Sequence, residues 1–536
     1  MNENNNTMNN IPSQGGIQPG AQPGMMPPPM VGQGTYGPMP YTSYVRPVKE
    51  PTVFTKPEKI FALITVVLAF LFIQFAIWNV TGYFTTLFYI IMLTAVNIYL
   101  RKTDNTFMTS HKVWAAVMYL FSTVFSITAN NTIKSLNVIF LQIGIAYLVY
   151  CVTHDTKPFG RFAVFEIVKG SVADPLSHFD KEFSAINSTA KDSHTGKNIK
   201  SLLIGIIIAL PLTLIVGGLL MSADAGVEHM LSGFLNFINI GNFFSFIAKL
   251  IFTLPAAGYL FGLLYSHTHK DKTKQLTEEY CDNACKDARK ISNTVMYTAV
   301  TPICILYVMF FISQVNYFLS AFRGILPEEY DYSQYARRGF FELFAIELIN
   351  AAVIFFINFF AKKTGEEKPA ALKIYTVVIS VFTLIITATA ISKMALYISN
   401  CGLTQLRVYT TWFMVLTAFM FIYVIIKQFK KDLSIIKPAA VTFVLMFGLL
   451  CFSRPDALIA KYNLEFMGNS LTCRDIEVMN NMSADSQAVL VDPKYANIIS
   501  SITSYEKVCK YAKNGLDKTP YNEFNLSAAI IRSRLH

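Results

Sequence analysis

VTPICILYVMFFISQ (300–314) and LINAAVIFFINFF (348–360) decide the fold. Neither run carries a charge, and each continues into apolar flanks, giving stretches at 292–316 and 339–361. About 20 such residues, at about 1.5 Å of helical rise each, cross the hydrocarbon core of a bilayer. Between them stands LPEEYDYSQYARRGFFELF (326–344), with Glu328, Glu329, Asp331, Arg337, Arg338 and Glu342 close together. A polar connection between two apolar runs is the signature of a chain that leaves the membrane and re-enters it.

The same alternation runs along the 536 residues. Apolar runs lie at 60–79, 82–100, 112–129, 133–151, 201–222, 242–265, 292–316, 339–361, 373–398, 405–427 and 437–452, eleven in all. Only 15% of residues are charged and the mean hydropathy is +0.40, against about 25% charged in soluble domains. The expected class is an all-α polytopic integral membrane protein. Its parts are a disordered Asn/Gln/Gly/Pro-rich tail (1–58), a helical bundle (59–452) and a small helical extracytoplasmic region (453–536).

Basic residues give the orientation. With the N-terminus inside, 28 Lys and Arg fall on inner segments and five on outer ones. That is the bias expected of cytoplasmic loops, so the C-terminal region is placed outside. The net charge of +11 is then a topology signal, and nucleic acid is not an expected partner. The inner segments 152–200 and 266–291 read as long cytoplasmic loops. The outer segment 221–244 reads as an interfacial amphipathic helix.

Several outer phrases, namely SADAGVEHML (222–231), PEEYDYSQYARRGFFEL (327–343), CGLTQLRVY (401–409), SRPDALIAKYN (453–463) and MSADSQAVL (482–490), together resemble an uncharacterised bacterial multi-pass membrane family, domain of unknown function 4173, related to 4153. The resemblance covers roughly 60–500 and implies a bacterial cell membrane and no agreed activity. In the last phrase, 485–489 departs from the family's usual Ser-x-Asp-Ala-Val-Pro run, and those positions are given little weight.

The candidate polar pocket comes from the charges. Glu342 and Glu347 lie within one apolar run, with Arg337 and Arg338 at its mouth and Lys393 in the next run. A carboxylate inside a span is costly and faces the bundle interior. The set Glu328, Glu329, Asp331, Arg337, Arg338, Glu342, Glu347 and Lys393 therefore reads either as a structural ion-pair cluster or as a functional pocket. Pro211, Pro255 and Pro302, in the fifth, sixth and seventh runs, add kinks within spans. Cys473 and Cys509, both outer, form a candidate disulfide. Cys281 and Cys285 near His267 and His269 have poor spacing for zinc, and no phosphate loop, hydrolase or kinase motif occurs. No cofactor or metal is expected. The expected partners are the lipid bilayer and a membrane or envelope protein; oligomeric state is not encoded legibly. Three functions stand: a non-enzymatic sensor, scaffold or envelope-associated partner; a transporter or channel for a small solute, with its pocket at Glu347; and a lipid-carrier glycosyltransferase-like enzyme. The last is disfavoured by a first outer loop (79–82) without an acid.

Overall fold

A computed structural model describes residues 54–78, 82–103, 105–191, 240–269, 276–323, 340–362, 369–430, 433–518 and 524–535, with Val216. The N-terminal tail, the run at 201–222, the segment at 221–239 and the charged connection 324–339 lie outside the described residues. The architecture is all-α. Among the described residues, eight helices are long and apolar enough to cross a membrane, and a ninth candidate arises if Ile436–Phe452 and Pro455–Phe466, bent by 61°, count as one span. The expected run 112–129 is present as Thr109–Ser122 and Val124–Ile127. It breaks where the Thr123 hydroxyl bonds the Leu120 carbonyl at 2.7 Å, a local bond that competes with the helix ladder.

The described spans form two packed groups. Lys56–Phe72, Tyr83–Lys102, Thr109–Ser122, Asn131–Thr153 and Ile240–Thr268 share one large core around Tyr89, Met118, Phe125 and Leu141. Asn293–Arg323, Phe340–Phe360, Ala370–Cys401 and Gln405–Phe429 share smaller cores around Ile357, Ile379 and Met414. The Ile436–Phe452 helix returns to the first group. Phe447 stacks on Phe121 with ring centres 5.7 Å apart, and Phe140 lies 5.2 Å from Phe447. The indole N–H of Trp412 donates to the Met446 carbonyl at 2.7 Å and ties the second group to this helix. Outward faces such as Ile305, Leu306, Met309 and Ile312 are exposed and apolar, as faces turned to lipid must be.

Connections sort to two ends. At one end, the Tyr83 N–H donates to the Phe524 carbonyl at 3.0 Å, the Ala129 N–H to Asp485 at 2.9 Å and the Leu403 N–H to Asn463 at 2.7 Å. At the other, His111 bonds the Thr156 carbonyl at 2.8 Å, Arg161 pairs with Asp282 at 2.9 Å, His269 with Glu58 at 3.0 Å, and the Ile291 N–H donates to the Phe360 carbonyl at 3.3 Å. These are the two groups that strict alternation of spans requires.

The C-terminal region is a helical cap seated on the first of these ends. Two stretches of it, 474–490 and 492–512, are each divided between successive helices. Ser483 ends Cys473–Met482 and caps Ala484–Leu490, and Ser504 separates Ala496–Ile502 from Tyr505–Lys518. Both serines offer the next helix a side-chain acceptor, 3.3 Å from the Asp485 N–H and 3.4 Å from the Lys507 N–H, which favours a new start over continuation. The segment 152–200, expected as a loop, instead holds helical pieces Ala163–Val168, Lys169–Ala173, Asp174–Ser177 and Lys181–Lys191 packed against the bundle.

Candidate functional site

Of the candidate polar pocket, Glu328, Glu329, Asp331, Arg337 and Arg338 lie outside the described residues. Glu342 is exposed in the first turn of Phe340–Phe360, and the carboxylate whose field Lys393 feels is Glu342. Glu347 is only 2% exposed. The Thr417 hydroxyl, from Gln405–Phe429, donates to its Oε1, and the Thr387 side chain stands beside it. One turn on, Asn350 accepts from the Tyr307 hydroxyl and donates to Thr383 Oγ1 at 2.9 Å. Thr376, Ser380, Thr383 and Thr387 follow one another at steps of four, three and four, and all are buried. That spacing puts them on a single face of Ala370–Cys401. Glu347 therefore meets a stripe of hydroxyls, with no ion pair to Lys393 among the described residues.

The densest polar site is elsewhere, under the cap. Two fully buried carboxylates, Asp456 and Asp485, organise it. Asp485 Oδ2 accepts from the Thr128 hydroxyl at 2.5 Å and the Ala129 N–H at 2.9 Å. Its Oδ1 accepts from the Ser527 hydroxyl and faces the Arg454 guanidinium at 3.4 Å. Asp456 Oδ2 accepts from Asn130 at 2.8 Å and from the Ser483 hydroxyl at 2.6 Å; its Oδ1 accepts from Gln405 at 2.8 Å. Asn130 also donates to the Tyr409 hydroxyl at 2.8 Å.

Local structure explains why these side chains meet. Asn130 is the N-cap of Asn131–Thr153 and accepts from the Ile133 N–H at 3.0 Å. Arg454 precedes Pro455–Phe466 in a left-handed conformation, φ 52°. Ser483 caps Ala484–Leu490. Asp456 and Asp485 sit in the first turns of their helices, where free N–H groups and the helix dipole favour a negative charge. Three helix starts thus converge, and a lone arginine supplies the buried network's positive charge. Every oxygen of both carboxylates is matched, so the arrangement holds cap to bundle.

A second tie lies alongside. Asn463 accepts from the Leu403 N–H at 2.7 Å and returns a bond to the Leu403 carbonyl at 2.9 Å. This clasp needs Gly402, whose φ is 73° and where a Cβ would come within 2.6 Å of Asn463 Oδ1. Beside the clasp opens a groove of about 400 Å³, lined by Leu403, Asn463, Met467, Leu471, Met479 and Met482 among others.

Reading the sequence missed most of this site. CGLTQLRVY, SRPDALIAKYN and MSADSQAVL carried the resemblance, and they supply Gln405, Tyr409, Arg454, Asp456, Asn463, Ser483 and Asp485. Asp485 belonged to the stretch given little weight, and it is the centre of the network. Thr128 lay at the end of the apolar run 112–129 and Asn130 in the three-residue connection 130–132, with no charge to mark either. The candidate disulfide is not formed: Cys473 and Cys509 are separate thiols. Cys473 points its Sγ at the Ile502 carbonyl, 2.9 Å away, while Cys509 packs beside Tyr505 and Leu516. Cys281 is buried, which pushes its thiol up, and His269 is engaged with Glu58.

Fold and site together define an all-helical polytopic membrane protein whose helical cap is locked to the turns of its spans. Residues 115–492 match the family described as a domain of unknown function (DUF4153), and the chain belongs to that family. The match takes in Thr128, Gln405, Asp456 and Asp485, and stops before Ser527. No curated protein and no solved structure matches the chain.

Proposed function

We propose that this chain is a non-enzymatic protein of a bacterial cell membrane, with its N-terminus cytoplasmic and its cap outside, that presents the cap groove to a neighbouring envelope polypeptide. A closer kinship with the 4173 relatives belongs to the same proposal. The observation that carries it is the groove of about 400 Å³ held open between the cap and the ends of the Ala370–Cys401 and Gln405–Phe429 helices. Its lining joins three flexible methionines to leucines, a surface that adapts to apolar side chains. Its rim carries Val478, 54% exposed, and Leu406, 60% exposed. A partner anchored in the same membrane brings its juxtamembrane segment to this level. The test is photo-crosslinking in cells from benzoylphenylalanine at Val478. A discrete polypeptide adduct that disappears with Leu406→Glu is expected; lipid adducts alone, or none, would overturn the reading.

A second reading, solute or proton transport, is favoured by one observation: Glu347 is buried among hydroxyls from neighbouring helices, with no cation paired to it among the described residues. Its test is whether Glu347→Gln abolishes a proton-dependent uptake or a ligand-induced stabilisation while leaving the fold intact.

A further inference from the structure

The helical pieces between Ala163 and Lys191 are too short to count as spans, yet they are packed at membrane depth. Two neighbouring helices act as rulers. Along Ile240–Thr268 the apolar stretch runs from 250 to 265. Gly170 lies by His267, whose Nε2 is 3.3 Å from the Gly170 carbonyl. Further along the segment, the Pro175 carbonyl abuts Gly262, where a Cβ would come within 2.5 Å, and the Phe179 ring abuts Gly258, where a Cβ would come within 2.9 Å. Gly258 is seven residues inside the apolar stretch, about 10 Å at 1.5 Å per residue. The second ruler agrees: the Thr65 hydroxyl donates to Glu182 at 3.0 Å, and Thr65 lies well inside the apolar part of Lys56–Phe72. The segment thus descends from Gly170 to about Phe179 and turns at 178–181.

Its two faces differ. Inward, Ala163, Ser171 and Pro175 are buried, the Tyr259 hydroxyl donates to the Ser171 carbonyl at 2.7 Å, and Lys169 pairs with Asp174 at 2.5 Å. That pair compensates its own charges, as burial in a membrane protein demands. Outward, Val164, Val168, Val172 and Leu176 stand at steps of four, exposed by 64, 56, 50 and 57%. Val172 and Leu176 lie at this depth and Val164 and Val168 lead down to it, so that the four continue the apolar outer surface of the spans they flank.

We infer that residues 163–186 form a re-entrant helical hairpin, and that its Val164–Val168–Val172–Leu176 stripe contacts the acyl chains of the leaflet opposite the cap. Lipid is the occupant because the stripe is uncharged, continuous with lipid-facing surfaces, and set at hydrocarbon depth by two independent helices. Backbone of this kind is tolerated in a membrane where protein satisfies its polar groups, which Tyr259 and His267 do here.

The test places a trifluoromethyl-phenylalanine at position 164, 168, 172 or 176, one at a time, in the full chain in phosphatidylethanolamine/phosphatidylglycerol nanodiscs. Fluorine relaxation is read with dissolved oxygen, which concentrates in acyl chains, and with a water-soluble gadolinium chelate. The expected result is strong oxygen enhancement at 168, 172 and 176, with the gadolinium effect falling steadily from 164 to 176. A gadolinium effect at all four equal to that at Val478 on the cap would put the segment in water and overturn the inference. Weak effects from both probes would mean that protein covers the stripe, which overturns the lipid contact equally. These positions are exposed, so each variant should melt like the parent; one that does not is replaced by leucine-sized trifluoroleucine at the same site and read again.

Discussion

Removing the Asp485 carboxylate should free the cap from the bundle. In Asp485→Ala, the Thr128 hydroxyl, the Ala129 N–H and the Ser527 hydroxyl lose their acceptor, and Arg454 loses its counter-charge. Asp485 is fully buried and the Arg454 side chain is 18% exposed. Breaking such a buried pair costs about 3–5 kcal/mol, mostly through the charge left behind. At about 1.4 kcal/mol per tenfold, the cap-opening equilibrium should rise by roughly 100- to 3000-fold. Asp485→Asn keeps the size and an acceptor for Thr128 and Ala129 but turns an N–H₂ toward Arg454, so its effect should fall between that of the parent and that of the alanine variant. Limited proteolysis in nanodiscs reads this directly, because cleavage of a transiently opened unit follows the open population when reclosing is fast. Glu465→Ala, which removes the exposed pair to Lys494, is the control and should leave the rate unchanged. If Asp485→Ala were cleaved no faster than Glu465→Ala, the network would not be what holds the cap, and the reasoning fails.

Gly402→Ala should lower stability by about 1–3 kcal/mol, since its backbone is left-handed and a Cβ meets Asn463; an unchanged melting temperature would contradict the clasp. For Glu347, substitution by Gln should preserve the bond from Thr417 and cost less than Glu347→Ala, which removes that acceptor and leaves a cavity; equal melting of the two variants would mean that Glu347 does not engage Thr417. Reporters fused after Lys274 and after Leu490 should report cytoplasm and exterior respectively, and a shared side would break the proposed topology.

How much could be read from the sequence depended on what kind of signal each element left. Spans are written in composition: 20 uncharged residues are hard to mistake, and the runs at 60–79, 373–398 and 405–427 all recur as helices. Glu347 was legible for the same reason, as an acid where none is expected. The cap network was not. Asp456 and Asp485 are 29 residues apart and meet Thr128 and Asn130 from more than 320 residues earlier; each looks in isolation like an ordinary helix-start residue. The hairpin was missed because its helices are too short to cross a bilayer, and its alternation of valines with Glu166, Lys169 and Asp174 lowers the hydropathy of any window. Its depth is visible only through what Gly258, Gly262 and Thr65 touch.

The return of the Ile436–Phe452 helix to the first group of spans sets an order of assembly. Phe121 and Phe140 find Phe447 about 300 residues later in the chain. At about 5–20 residues per second, the span that carries Phe140 waits roughly 15–60 s for the helix that closes its aromatic face. In water such an unpaired face would drive aggregation. In a bilayer the waiting face is solvated by tails as apolar as itself, so the early spans can idle without penalty while the second group is made. That helix then arrives with the cap behind it, and closing the core and seating the cap become consecutive steps of one event.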